Sequence, residues 1–110
     1  MQEVSVIIPN FNGMAYLDGV LAGLECQSVN NFEVILVDNG SSDGSCAFVA
    51  ARYPWVHLIE LPENFGFCKA VNEGIKASRA PYVLLLNNDI EVTENFIEEM
   101  IFAIKRHPKA

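Results

Sequence analysis

The residues of this chain best suited to chemistry are acids and amides placed where apolar runs end. Tyr82-Val83-Leu84-Leu85-Leu86 stops at Asn87-Asn88-Asp89, followed by Ile90-Glu91. A second run, Glu33 to Val37, stops at Asp38 and enters the polar stretch Asn39-Gly40-Ser41-Ser42-Asp43-Gly44-Ser45. Carboxylates in such places can accept hydrogen bonds from a ligand or hold a hard cation through oxygen. They also have a plainer role, since Asn and Asp form turns well and a solvated acid after a strand needs no ligand. Two loop residues add to the set. Phe11 follows the first apolar run, where a large aromatic either plugs the core, the commoner fate, or stacks on something flat. Gly66 stands just before a helical pattern and would let a ligand approach the free N–H groups of its first turn. Lys69, in that same turn, runs against the helix dipole and reads as a solvated surface lysine.

One pattern, repeated four times, must position these residues: apolar strand, polar loop, amphipathic helix. The first strand is Val4 to Ile8, closed by Pro9, which cannot donate to a central ladder. A helix from Met14 to Cys26 follows, with Asn12 as its N-cap and Leu17, Val20, Leu21 and Leu24 at the spacing of one buried face. The second strand, Glu33 to Val37, leads through a cap among Ser41, Ser42 and Asp43 to a helix ending at Tyr53, with Cys46, Val49, Ala50 and Tyr53 on one side. The third, Val56 to Leu61, precedes a helix over Phe67 to Ser78 whose inner face is Phe67, Ala70, Val71 and Ile75. The fourth is Tyr82 to Leu86. A last helix runs from a Thr93 cap to Lys105, with Phe96, Ile97, Met100, Ile101 and Ile104 inward, Lys105 and Arg106 complementing its dipole and Pro108 as a stop. Strands alternating with helices, without hairpin signals, predict an α/β fold: a Rossmann-like half-domain with a mostly parallel sheet and helices on both faces. Phe11, Asp38, Gly66 and Asp89 then share one rim, at the carboxyl ends of the strands, where ligands of such sheets collect.

Composition narrows the ligand. The 110 residues suit one domain, and 14 acidic against 7 basic residues give a formal charge of -7, which argues against a nucleic-acid or anionic-membrane surface. An anionic ligand would need local help from helix N-termini, backbone N–H groups or a bound cation. Cys26, Cys46 and Cys68 match neither a zinc spacing nor a redox pair and read as small buried residues of a reducing compartment. His57, inside a strand, and His107, near the chain end, read as structural or exposed. No apolar run approaches the roughly 20 residues that span a bilayer, and a cytoplasmic protein is expected. No G-x-G-x-x-G follows the first strand, and neither a P-loop nor a G-x-S-x-G elbow occurs.

Four segments together carry a family resemblance: Val4-Ser5-Val6-Ile7-Ile8-Pro9-Asn10-Phe11-Asn12; Val37-Asp38-Asn39-Gly40-Ser41-Ser42-Asp43-Gly44-Ser45; Asn64-Phe65-Gly66-Phe67 with Ala70, Asn72, Gly74 and Ile75; and Leu84-Leu85-Leu86-Asn87-Asn88-Asp89. In this order the chain resembles the nucleotide-binding half of family 2 glycosyltransferases with the GT-A fold, over nearly its whole length, and leans towards their rhamnosyltransferase-like branch. The resemblance implies a site for a nucleotide-diphosphate sugar with a UDP or dTDP carrier. It sets Pro9 and Phe11 against the base, Asp38 as acceptor of the pyrimidine N3–H, Gly66 beside the nucleotide, and Asn88 and Asp89 on the metal-binding D-x-D turn. Mg²⁺ or Mn²⁺ is the implied cofactor, because a diphosphate docks beside Asp89 only with a divalent cation between them.

The chain departs from the family pattern in two places. Asn87-Asn88-Asp89 carries one carboxylate where D-x-D has two, so metal binding rests on Asp89 and on diphosphate oxygens. The general base that an inverting transferase needs comes, in the family, from the acceptor-binding half, which implies a catalytic carboxylate beyond Ala110. Residues 1–110 are therefore expected to be the donor-binding portion of a longer enzyme acting on a glycan or lipid-linked acceptor, with a peripheral place at the inner membrane face left open for that longer protein. The alternative is a non-catalytic nucleotide-binding or protein-interaction module that keeps the fold.

Overall fold

The structure, a computed structural model, describes residues 2–106. Four strands alternate with four helices: β1 (Val4–Asn10), α1 (Met14–Glu25), β2 (Phe32–Asn39), α2 (Ser45–Arg52), β3 (His57–Leu61), α3 (Phe67–Ala77), β4 (Tyr82–Leu85) and α4 (Phe96–Arg106). The strands form one sheet in the order β3-β2-β1-β4, and every neighbouring pair is parallel. His107 and Pro108 lie outside the described residues.

The unbroken apolar runs of β1 and β2 follow from burial on both sides of the sheet. Val4, Val6 and Ile8 of β1, with Val34 and Leu36 of β2, face a core filled by Leu17, Val20, Leu21 and Leu24 of α1, Val49 of α2 and Ile97 of α4. The alternate residues Ile7, Ile35 and Val37 face Ala70 of α3 on the other side. Helix α3 presents Ala70 and Gly74 as its buried positions, and a Cβ on Gly74 would stand 2.5 Å from Ile7 Cγ2. The two smallest residue types therefore set how near this helix lies to the sheet. Phe67 and Ile75, expected on its inner face, are exposed instead, because so close an approach leaves no layer for them.

Several boundaries move for identifiable reasons. β1 continues through Pro9 to Asn10. Leu86 N donates to Ile7 O, so the odd-numbered residues of β1 turn their amide groups towards β4. At Pro9 that side is vacant, because the β1–β4 ladder ends at Ile7 and Leu85, and the missing N–H costs no bond. Asn12 is not the cap of α1. Gly13 holds that position, Asn12 has a φ of 50°, and the first helical N–H, Met14 N, donates 3.0 Å to Asp43 Oδ2 of the next loop. Asp43 Oδ1 also accepts from Ser45 N at 3.0 Å and from the Ser45 hydroxyl, so one carboxylate ties together the N-termini of α1 and α2. The Ser45 hydroxyl holds the Asp43 carboxyl below its ordinary range. Helix α4 begins after Thr93, at Phe96, and Gln27 Oε1 accepts from Ile97 N at 2.8 Å. On α2 Ala50 is exposed, while Val49 and Tyr53 are buried. Cys26 and Cys68 are exposed and only Cys46 is half-buried, contrary to the expectation of three buried thiols. His57 opens β3 and is exposed.

Candidate functional site

The sheet order reverses at β1: the chain steps outward to β2 and β3, then returns to place β4 on the other side of β1. Beyond the carboxyl ends of strands at such a point the loops diverge and leave a crevice. Here it is a cleft of about 410 Å³, within the usual range for small-molecule sites. One wall comes from the end of β1, as Pro9, Asn10 and Phe11; the opposite wall is Asn87, Asn88 and Asp89 after β4; Asn39, Asn64 and Phe67 close the remaining side. Phe11 is 49% exposed and Phe67 56%. Phe11 therefore does not plug the core, and both exposed aromatic residues border the cleft.

Of the residues singled out in the sequence, Pro9, Phe11, Asn88 and Asp89 line this cleft. Asp38 lies behind it, within β2 and 2% exposed, so it is not a solvated turn acid. Its neighbour in register is Asn10. Asn10 Nδ2 donates to Asp38 Oδ1 at 2.9 Å, and Ser41 N donates to Asp38 Oδ2 at 2.9 Å. Asn10 Oδ1 accepts from Asn88 Nδ2 at 2.7 Å, so a chain of side-chain bonds crosses the ends of β2, β1 and β4. Gly13 makes room for it: a Cβ there would stand 2.1 Å from Asn88 Nδ2 and 2.3 Å from Asn10 Oδ1.

Gly66 does not line the cleft but shapes the loop whose neighbours, Asn64 and Phe67, do. Its φ of 93° and ψ of 166° fall in a region essentially confined to glycine. Asn39 holds this loop from both sides, accepting from Phe65 N at 2.9 Å and donating to Gly66 O at 2.9 Å. Lys69 pairs with Glu73 at 3.1 Å on the exposed side of α3, as a solvated lysine would. Asn10, Asn39, Asn64, Phe67 and Asn87 stand within the segments that carry the resemblance but were assigned no role of their own, since polar loop residues are common and Phe67 fitted a helical stripe.

The Asp89 carboxylate is exposed and takes no hydrogen bond or ion pair from the described residues. Asn88 spends its Nδ2 on Asn10, which leaves its Oδ1 free as an acceptor. Among the described residues no group of three or more His, Cys, Asp or Glu side chains could hold a metal ion. The donor set present, one carboxylate and neutral amide oxygens, is of the hard oxygen type that Mg²⁺ or Mn²⁺ takes. It is incomplete without oxygens from a ligand, as is usual where Mg²⁺ binds with substrate phosphates. Next to Asp38, burial pushes the Cys46 thiol up to about 12, helped by the Asp38 and Glu60 carboxylates.

Comparison with known proteins gives the chain's family and fold relatives. The family model described as Glycosyl transferase family 2 matches residues 5–110. Glycosyltransferase GlyG of Streptococcus pneumoniae is 31% identical over 100 residues, covering 88% of this chain and 33% of the relative. The structure of S. aureus TarS 1-349 in complex with UDP-GlcNAc superposes with a TM-score of 0.87 at 26% identity, over 97% of this chain and 32% of that one. A mannosyltransferase from Pyrobaculum calidifontis, PcManGT in complex with GDP-Man and Mn²⁺, gives a TM-score of 0.75 at 26% identity, over 81% of this chain and 28% of that one. The chain thus spans about a third of the length of these relatives. With its all-parallel sheet, its Rossmann-like GT-A topology and a family match over nearly its full length, the chain belongs to glycosyl transferase family 2.

Proposed function

We propose that these 110 residues are the donor-binding portion of a glycosyltransferase and that the cleft between β1 and β4 takes a nucleotide-diphosphate sugar with a UDP or dTDP carrier. One observation carries the reading: two exposed aromatic faces, Phe11 and Phe67, and one uncommitted carboxylate, Asp89, share a single cleft at the reversal of the strand order. Aromatic faces suit a flat base, and a lone carboxylate suits the diphosphate end once a cation intervenes. The UDP-GlcNAc bound to TarS and the GDP-Man with Mn²⁺ bound to PcManGT support the same class of donor.

Within this reading Pro9 and Phe11 border the base, with Gly66 shaping the loop alongside. Asp38 accepts the pyrimidine N3–H from behind the cleft. Each carboxylate oxygen has two lone pairs, and one apiece goes to Asn10 and Ser41. Asn88 and Asp89 face the diphosphate. A bound Mg²⁺ or Mn²⁺ supplies positive charge that stabilises the departing nucleoside diphosphate. The reaction breaks the bond from the anomeric carbon to the diphosphate and forms one to an acceptor hydroxyl, with inversion. The base that takes the hydroxyl proton, and the wall that binds a glycan or lipid-linked acceptor in polysaccharide synthesis, belong to the length of the relatives that this chain does not span.

Titration calorimetry with Mn²⁺ present tests the donor assignment. UDP and dTDP are expected to bind more tightly than ADP. Equal affinities, or no heat at about 1 mM nucleotide, where only the weakest specific sites still register, would overturn it. The chain by itself is expected to move no sugar to any acceptor.

A further inference from the structure

We infer that Asp38, Asn10 and Asn88 form a polarity relay, in which a buried carboxylate behind the base end of the cleft fixes which atom Asn88 presents at the metal end. The inference rests on the donor-site reading and adds to it two positioning residues, Asp38 and Asn10, for the cation. An amide side chain can be turned either way, and only its partners decide between oxygen and nitrogen. An ionised carboxylate can only accept. Asp38 Oδ1, 2.9 Å from the Asn10 amide, therefore obliges Asn10 to turn its Nδ2 towards β2. Asn10 Oδ1 must then face β4, where it can only accept, and Asn88 answers with its Nδ2 at 2.7 Å. Asn88 Oδ1 is left without a protein partner among the described residues, on a side chain that lines the cleft next to Asp89.

Three features show that the relay is built rather than incidental. Asn10 and Asp38 are each only 2% exposed, so solvent does not set the orientation of the Asn10 amide. Gly13 leaves room for the Asn10–Asn88 contact, which any Cβ would invade. The backbone ladder between β1 and β4 has already ended at Ile7 and Leu85, so this bond is the side-chain tie between the end of β1 and the turn that carries Asp89.

The relay makes a prediction that a merely structural cluster does not. Asp38→Asn changes a residue behind the base end of the cleft, away from Asp89, yet it gives Asn10 a partner that already accepts from Ser41 N with its oxygen and so offers nitrogen. Asn10 then reverses, Asn88 reverses in turn, and an N–H₂ group faces the cation. Adding Asn10→Asp restores the original sense, because the new carboxylate accepts from both neighbours and Asn88 again presents oxygen. The measurement is the ratio of UDP affinities with and without Mn²⁺, taken by calorimetry on the full chain. Wild type is expected to show an enhancement of roughly 5–30-fold, the lower half of the common range. Asp38→Asn should fall below about twofold, and the Asp38→Asn, Asn10→Asp pair should return to the wild-type range even though its preference for UDP over ADP is lost.

An Asp38→Asn chain with undiminished Mn²⁺ enhancement, or a double variant without recovery, overturns the relay while leaving the donor site standing. A wild-type chain that binds no UDP at all overturns both. Should Asp38→Asn fail to fold, wild type alone decides. On adding Mg²⁺ and UDP, the Asn88 side-chain carbonyl carbon should shift in NMR spectra while the N–H proton bonded to Asn10 stays protected. A carbonyl signal that does not move overturns the relay.

Discussion

Asp89→Asn separates the proposed metal site from the fold. The Asp89 side chain is exposed and has no hydrogen bond or ion pair among the described residues, so its replacement should change stability by no more than about 0.5 kcal/mol. Its effect on binding has two parts of opposite sign. Without metal, a carboxylate about 5 Å from one diphosphate charge in a water-like dielectric costs about 0.8 kcal/mol, and removing it should tighten UDP roughly fourfold. With metal, the cation draws carboxylate and diphosphate together, a coupling worth about 1–3 kcal/mol. A site with one carboxylate rather than two belongs in the lower half of that range, about 1–2 kcal/mol or roughly 5–30-fold. Calorimetric titrations of UDP with and without Mn²⁺ should therefore show the enhancement in wild type and nearly none in Asp89→Asn. Glu91→Gln is the control, since Glu91 shares a neighbouring hollow with Asp89, Ala15, Tyr16 and Gly19 but, unlike Asp89, does not line the main cleft. Undiminished enhancement in Asp89→Asn would refute the assignment and leave Asn87-Asn88-Asp89 as a plain turn.

Gly66→Ala meets no neighbouring atom within 4 Å, so its cost should be conformational alone, about 1–3 kcal/mol in urea denaturation; a loss under about 0.5 kcal/mol would show that the loop relaxes and that the glycine is dispensable. The cysteines should divide by exposure: at pH 8 iodoacetamide should label Cys26 and Cys68 quickly and Cys46 slowly, as mass spectrometry can count. Alkaline stability follows from the raised values of Cys46, from 9.0 to about 12, and Tyr53, from 10.0 to about 12, the latter through burial and then the Asp18 hydrogen bond. Both groups hold their protons more tightly when folded, so their stabilisation is whole below pH 9 and is lost as pH rises towards 12. A denaturation midpoint flat from pH 9 to 12 would contradict this.

The fold was legible because both of its periodicities are unusually clean. The spacing of Leu17, Val20, Leu21 and Leu24 identifies a buried helix face, and all four are buried. The solid apolar runs of β1 and β2 could only mean a sheet covered twice. Misreadings occurred where one residue's local habit met a tertiary arrangement. Pro9 ends a strand in isolation but continues one whose neighbour has stopped. Asn12 is a good cap, yet Asp43, 29 residues away along the chain, reached the helix N-terminus instead. Phe67 and Ile75 fit a helical stripe, but the close approach at Ala70 and Gly74 turned them outward.

The candidate site was legible in its acids and, Asn88 apart, not in its amides, for a physical reason. A carboxylate at a strand end stands out because its charge must be answered by something if it is buried, which makes Asp38 and Asp89 conspicuous before any coordinates exist. Asn10 and Asn39 are neutral, common in loops and indifferent to which way they turn, so the sequence does not distinguish a buried connector from a solvated turn residue. What makes them matter is register. Parallel pairing brings Asn10 level with Asp38, and the reversal of strand order brings the turn after β4 to the other side of the same side chain. In the proposed relay a buried acid that only accepts decides the orientation of the amides in line with it, so Asp38, conspicuous in the sequence, sets which atom the neutral Asn88 presents beside Asp89.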